Sequence, residues 1–327
     1  MLNYSQAAGL LHGIGVTGEV SLHLIKQEND VYRINSGEQT FFLKIYSKRW
    51  YGLDLPSLAY NVRHERAAWD ILKTNGLAVP EVMTADTTNT NPVETPFILT
   101  RELSGKALVD LLMLAEDGDF AALLMAVGRY LRQMHNIRFE NAGYLDTVDG
   151  PSRSDADGWQ HRCWSAEQRQ KDALEYLDEI RPALSEVLAE RMESHFTTMA
   201  DTLRMDYQPP RFTHGDCHAH QFFLALDDGD WQVTGVVDME VSSAGDCGED
   251  WLKLGLELAL HLDADTGWWE ILFKGYSAEP DFERLRLRFL GVDHLEFGLA
   301  AVNPKLLSDL LDASDWSNLF SAIYKVS

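Results

Sequence analysis

The chain of 327 residues is 45% hydrophobic and 24% charged, a globular composition long enough for one large domain or two moderate ones. Its net charge of −23 argues against nucleic acid as a partner, which needs a basic surface, and suits either a cationic ligand or simply an acidic soluble chain. No uncharged apolar run of about 18 residues is present to span a membrane, and Met1 to Leu11 lacks the basic-then-apolar pattern of a secretory signal, so a cytoplasmic location is expected.

The first predicted elements are strands. Val20 to Ile25 and Val31 to Ile34 are strand-like, Ser36-Gly37-Glu38 is a turn signal, and Thr40 to Tyr46 makes a third strand. Gly13, Gly15 and Gly18 precede them and read as turns rather than as a phosphate-cradling loop. From Ser57 to Asn75 the spacing predicts a helix, with Leu58, Val62, Trp69 and Leu72 on one stripe and Gly76 as the stop. Glu65 falls on that stripe, and an inward-facing carboxylate needs a cationic or hydrogen-bonding partner. Lys44, inside the apolar run Phe41 to Ile45, is the candidate. A snorkelling strand lysine is the simpler reading of Lys44 alone, and the inward Glu65 argues against it.

Val79-Pro80 leads into one or two further strands, the clearest from Phe97 to Leu103, closed by Ser104-Gly105. The remainder of the chain is mostly helical. Phe120 to His135 carries one apolar face, Pro182 splits the helical region Trp164 to Met205 in two, and Gly248 to Leu260, Trp268 to Tyr276 and Phe282 to Leu290 read as helices. The Trp268-Trp269 pair reads as core. Cys163, Cys217 and Cys247 are odd in number and widely spaced, so reduced thiols are expected rather than a disulfide. The fold class is therefore α+β. A small β-rich lobe, 1–103, is joined to a larger, mainly helical lobe, 104–327, with a cleft between them.

The chemistry is concentrated in a β segment at 212–238 that interrupts the helices. His214-Gly215-Asp216 is followed by Gln221, and Asp238 stands 22 residues after Asp216. The apolar runs Phe222-Phe223-Leu224 and Val233 to Val237 predict a loop, a strand, a turn and a second strand that ends on a carboxylate. Magnesium-dependent phosphoryl transfer requires such a set: one carboxylate orients the acceptor hydroxyl, while another carboxylate and an amide oxygen hold the metal on the phosphates. Asp216 alone would suit a loop aspartate bonded to its own backbone, and its partners in order favour the functional reading. His214, Cys217, His218 and His220 are too crowded along the chain for a zinc site.

In this order, these residues resemble the aminoglycoside phosphotransferase and choline kinase family, relatives of the protein kinases. The resemblance runs through Glu28 to Arg33, Leu43-Lys44, Glu65, Val79-Pro80, the linker strand Phe97 to Leu103 and Met134-His135. It continues through His214-Gly215-Asp216, Val237-Asp238, Gly245-Asp246 and Asp250-Trp251. It implies a two-lobed protein-kinase-like fold. It also implies that Lys44 contacts the α- and β-phosphates, with Glu65 positioning it and Asn29, Arg101 and Leu103 completing a site for ATP or GTP. Asp216 becomes the base, His214 the residue that holds the catalytic loop, Gln221 and Asp238 the Mg2+ ligands, and Asp250 the anchor of the segment after Asp238.

Two departures stand out. The family normally has asparagine where this chain has Gln221, a change in reach of about 1.5 Å, one C–C bond. Ala219-His220 replaces the usual Pro-Gly. The Cys217-His218 pair looks most like a bacterial subgroup with serine/threonine kinase members. The expected activity is ATP-dependent transfer of the γ-phosphoryl group to a hydroxyl of a small molecule, a cation being compatible with the acidic chain. The alternatives are a bacterial protein serine/threonine kinase and a catalytically impaired nucleotide-binding regulator. The protein is expected to act as a monomer or homodimer, away from nucleic acid and membrane.

Overall fold

A computed structural model of the chain describes residues 2–26, 30–46, 49–50, 53–54, 61–115, 117–151, 166–204, 209–293 and 303–325. Glu28, Asn29, Ser57, Leu58, Cys163, Trp164 and Met205 lie outside these residues. The first helix, α1 (Tyr4–Gly13), has no counterpart among the predicted elements. Asn3 opens it with a reciprocal capping box to Gln6, and it buries Ala7, Leu10 and Leu11.

Strands β1 (Val20–Lys26), β2 (Val31–Ser36) and β3 (Gln39–Ile45) follow as consecutive hairpins. Helix α2 (Val62–Thr74) comes next, its amide end capped by Asn61. Then β4 (Val82–Asp86) and β5 (Phe97–Arg101) complete an antiparallel sheet of order β1-β2-β3-β5-β4. Because strand side chains alternate, Phe41, Leu43 and Ile45 of β3 bury against Leu10 and Leu11 of α1 with Ile34 and Leu99. Phe42 and Lys44 therefore face the other way. On that side Ile98, the register partner of Lys44, joins Trp69 and Leu72 of α2 in the larger core.

That larger core extends through the rest of the chain. Its elements, in order, begin with β6 (Lys106–Ala107), α3 (Asp117–His135), β7 (Gly143–Tyr144), α4 (Ala166–Ile180) and α5 (Glu186–Arg204). Next come β8 (Arg211–Thr213), β9 (Phe222–Asp227), β10 (Asp230–Val236), β11 (Ser243–Gly245) and α6 (Gly248–His261). Helices α7 (Trp268–Tyr276), α8 (Phe282–Arg288), α9 (Pro304–Asp312) and α10 (Trp316–Tyr324) complete it. Pro182 sits in the 3-10 turn that separates α4 from α5. The β9–β10 hairpin pairs with β6, and β11 lies between β8 and β7. Trp268 and Trp269 are buried against Phe320, as core residues should be. Helices α3 and α7 cross so closely that a Cβ on Gly128 would collide with the Leu272 carbonyl. No helix among the described residues is long and apolar enough to cross a membrane.

One buried titratable group ties α2 to this second body. His64 is fully buried, with its Nε2 3.3 Å from Ser242 Oγ and its ring edge-on to Tyr144 at 5.5 Å. Burial disfavours the imidazolium and lowers its pKa to about 4. The folded protein therefore holds His64 neutral while the unfolded chain protonates it near 6.5. Its contribution is complete above the unfolded value and disappears as pH falls from about 6.5 towards 4. Wild type should lose roughly 3 kcal/mol more stability than His64→Gln between about pH 7 and pH 4, measured by denaturant unfolding at each pH.

Candidate active site

The centre of the site is the Lys44 ammonium. Its Nζ lies 2.9 Å from Glu65 Oε2, 2.6 Å from Asp238 Oδ1 and 2.8 Å from Glu240 Oε2. Three elements meet there: β3 carries Lys44, α2 carries Glu65, and the turn after β10 carries Asp238 and Glu240. Glu65 is itself fixed by the Tyr46 hydroxyl, which donates to Oε2, and by the Met239 amide at 3.3 Å from Oε1. Trp69, one helical turn on, donates from Nε1 to the Val236 carbonyl at 3.1 Å.

Burial alone would strip the proton from Lys44, but Asp238, Glu65 and Glu240 outweigh it and raise the pKa well above the ordinary value. The carboxylates divide unequally. Burial opposes ionisation of Asp238, yet Lys44 wins and holds its pKa below the usual range. Glu240, buried and facing the charges of Asp238 and Glu65, is pushed up to about 7 despite Lys44. Asp238 also has φ +64, a left-handed conformation that is uncommon for a residue with a side chain.

These groups close one end of a cavity of about 280 Å³ between the sheet and the β9–β10 hairpin. Phe42, Ile98, Leu103 and Phe223 form its apolar walls, and Lys44, Gln221 and Asp238 its polar end. Arg101 and Leu103 border it differently. The Arg101 guanidinium points to the opposite face of the sheet, donating to Glu81 at 2.7 Å and Gln39 at 3.2 Å and lying over the Phe41 ring. Only its main chain is left for the cavity. Leu103 packs its side chain over Gly235 of β10, and its amide has no hydrogen bond among the described residues.

The catalytic-loop candidates sit just beyond. Gly215 takes φ +78 with its Cα against the Val241 carbonyl, where a Cβ would not fit. His214 Nε2 lies 3.0 Å from the Val237 carbonyl and its Nδ1 is 3.3 Å from the Asp216 amide. This pair of contacts assigns the ring proton to Nε2 and ties the loop to the strand that delivers Asp238. The resemblance makes Asp250 the anchor of the segment after Asp238, and the structure differs. Its Oδ2 accepts from the His214 amide at 2.8 Å and its Oδ1 from the Gly215 amide at 2.9 Å. Two adjacent, buried amides need acceptors, and this carboxylate supplies both. His135 Nε2 is 3.0 Å from Asp250 Oδ2, and its Nδ1 is 3.1 Å from the Tyr276 hydroxyl.

Asp216 is half-buried. Its Oδ1 is 3.1 Å from Lys253 Nζ and its Oδ2 3.5 Å from His218 Nε2. Burial opposes its charge, but the His218 hydrogen bond and the Lys253 and His218 charges outweigh it and hold the carboxyl well below the usual range. His218 then leads back to the cavity. Its Nε2 is 3.1 Å from Gln221 Nε2, which lies 3.5 Å from Asp238 Oδ2. Sequence reasoning thus reached Lys44, Glu65, His214, Asp216, Gln221 and Asp238, which the structure brings together. It missed Tyr46, Glu240, His218 and Lys253. Tyr46 was the most accessible, two residues from Lys44 and so on the same strand face. Nothing local marks Lys253, whose partner lies 37 residues away.

Residues 19–290 match the phosphotransferase enzyme family, APH. Solved structures share the fold at low identity. The streptomycin–ATP complex of APH(2″)-IIa aligns over 100% of this chain and 96% of its own, with 14% identity and a TM-score of 0.54. A thermostable mutant of APH(4)-Ia, in ternary complex with ADP and hygromycin B, covers 97% of each chain at 14% identity and TM-score 0.57. Plasmodium vivax ethanolamine kinase Pv091845 aligns over 99% of this chain and 86% of its own, with 13% identity and a TM-score of 0.50. No curated protein matches the chain in sequence.

Proposed function

Because the chain belongs to the phosphotransferase enzyme family, we propose that it transfers the γ-phosphoryl group of ATP, or of GTP, to a hydroxyl of a small molecule. The observation that carries this reading is the Lys44 ammonium held between Glu65 and Asp238 at the closed end of the cavity. Nucleotide complexes of two structural neighbours support it. The purine would lie between Phe42, Ile98 and Leu103, where the Leu103 amide is the available donor, the Arg101 amide already donating to the Glu81 carbonyl at 2.9 Å. A division of the lobes at 103/104 is supported by β5 being the last strand of the first sheet in chain order and by the pairing of β6 with β9.

Phosphoryl transfer passes through a loose transition state, so catalysis is mostly positioning and charge neutralisation. Lys44, fixed by Glu65, holds the α- and β-phosphates. Asp216 accepts the acceptor's hydroxyl hydrogen bond, orients that oxygen and receives its proton. A carboxylate held so far below its usual range is a weak base, which suits a transition state in which the hydroxyl proton is lost late. Gln221 and Asp238 are the residues that would hold Mg2+. Both offer oxygen to a hard cation, and their side chains lie 3.5 Å apart, near the separation of about 3 Å between neighbouring ligands of an octahedral ion. The metal supplies charge neutralisation on the phosphates. The Gln221 amide now turns its nitrogen towards Asp238; it must rotate for its oxygen to join the carboxylate on one ion.

Millimolar ATP with Mg2+ should raise the melting temperature, since a ligand at about 100 times its Kd adds about 2.7 kcal/mol. Lys44→Ala should abolish the shift, and an unshifted wild type defeats the nucleotide assignment. Asp216→Asn should lower transfer by roughly 100- to 10,000-fold while nucleotide affinity stays within a few-fold. Asp238→Ala should do the opposite in part, weakening metal-dependent nucleotide binding. Retained turnover in Asp216→Asn on an identified acceptor removes Asp216 from its role.

Gln221 separates an adapted enzyme from a catalytically impaired nucleotide binder. In a loop fitted to the longer side chain, with His218 and Asp238 both at its amide, Gln221→Asn should weaken metal-dependent nucleotide binding and turnover. A gain in metal affinity and turnover in the asparagine variant, read by magnesium titration, establishes the impaired reading instead.

A further inference from the structure

The proposed transfer leaves Lys253 unused, yet it makes the closest contact to the Asp216 carboxylate. It lies on α6, four residues after Glu249, with its side chain 17% exposed. Its Nζ is 3.1 Å from Asp216 Oδ1. The other oxygen, Oδ2, is held only loosely, 3.5 Å from His218 Nε2. We propose that Lys253 is a positioning residue for phosphoryl transfer: it pins Oδ1 of Asp216 and so presents Oδ2 to the acceptor hydroxyl. This inference rests on the assignment of Asp216 as the orienting carboxylate.

The terminal torsion of an aspartate is broad and roughly two-fold, so a loop aspartate alone does not define which oxygen meets the substrate. A cation on one oxygen removes that freedom. A lysine is ordinarily a poor clamp because its stem is flexible; here Glu249 stands one helical turn before it on the same face of α6. The charge of Lys253 helps keep Glu249 ionised, with its pKa lowered to about 2, after Arg288 and Arg169. Glu249 is itself held by Arg169 of α4 at 3.1 Å through both its oxygens, and by Arg288 of α8. An alternating series of charges thus runs from α4 and α8 through Glu249 and Lys253 to Asp216. A misplacement of a reacting group by about one ångström costs on the order of 100-fold in rate, which sets the scale of what such positioning protects.

The groups that face Asp216 are His214 and His218 of its own loop, Lys253 of α6 and Asp238 at the end of β10. Glu257, one turn beyond Lys253, acts through His218, whose Nδ1 is 3.8 Å from its Oε2. Of these, only Lys253 is a permanent cation at hydrogen-bond distance. Removing it alters both the orientation and the proton affinity of Asp216.

The test compares wild type, Lys253→Met, Lys253→Arg and Asp216→Asn. Hydrolysis of Mg-ATP, with water as acceptor, gives kcat and nucleotide KM. The 13C carboxylate resonance of Asp216, assigned by its loss in Asp216→Asn, reports whether the carboxyl takes up a proton across the pH range in which the protein stays folded. Lys253→Met keeps the apolar stem; it should lower kcat about 10- to 100-fold with KM unchanged, and should raise the pH at which Asp216 takes up a proton towards the ordinary carboxylate range. Lys253→Arg should restore most of both. An Asp216 resonance that responds to pH in Lys253→Met as it does in wild type overturns the proposal, as does a loss of kcat matched by a loss of nucleotide affinity and of melting temperature. If Asp216→Asn retains turnover, the base assignment fails on its own, and the resonance still reports whether Lys253 holds the carboxylate. Where turnover to water is too slow to read, the resonance decides.

Discussion

The arrangement depends on one buried ammonium surrounded by more negative charge than it can neutralise. Lys44 meets three carboxylates drawn from two parts of the chain, Asp238 standing 194 residues after it. A buried pair of opposite charges recovers its desolvation penalty only with good geometry and full hydrogen bonding. Here the geometry is supplied by Tyr46, the Met239 amide and Trp69. The excess falls most heavily on Glu240, where burial and the neighbouring carboxylates push the pKa up to about 7, while Lys44 holds Asp238 below the usual range. Such a cluster repels further anions until cations accompany them, which is the electrostatic condition under which the proposed nucleotide would enter together with a metal.

A second buried charge organises the other half of the site. Asp250 is fully buried and accepts from two successive loop amides and from His135. The three contacts hold the turn that makes Gly215 left-handed and points Asp216 outward. The two clusters communicate through short side-chain contacts: Asp216 to His218, His218 to Gln221, Gln221 to Asp238. Gln221, one of the positions at which this chain departs from the pattern it resembles, is therefore the link between Asp216 and the Lys44 end of the cavity.

Much of this was legible in the sequence because it is written in short periods. Alternation along Phe41 to Ile45 separates the core face from the face that carries Lys44, and a helical period places Glu65 opposite it. The helices after Gly248 follow from the same local patterns, as does the strand before Asp238, although it stops at Val236 and leaves the carboxylate in the following turn. What was not legible depends on where a side chain points after the chain has folded. Arg101 occupies the expected strand yet turns its guanidinium to Glu81, because its alternation phase is that of Phe97 and Leu99. Asp250 serves the loop at 214–215 rather than the segment beside it in sequence. Helix α1 shows only three buried residues in ten, too short a stripe to stand out against a polar background.

Helix α2 is fastened at three heights, by His64 to Ser242, by Glu65 to Lys44 and by Trp69 to the Val236 carbonyl. An outward swing of this helix would break all three and expose an imidazole, a carboxylate and an indole together. The helix is thus a fixed wall and not a moving gate. An enzyme built this way has its buried lysine already aimed before any substrate arrives.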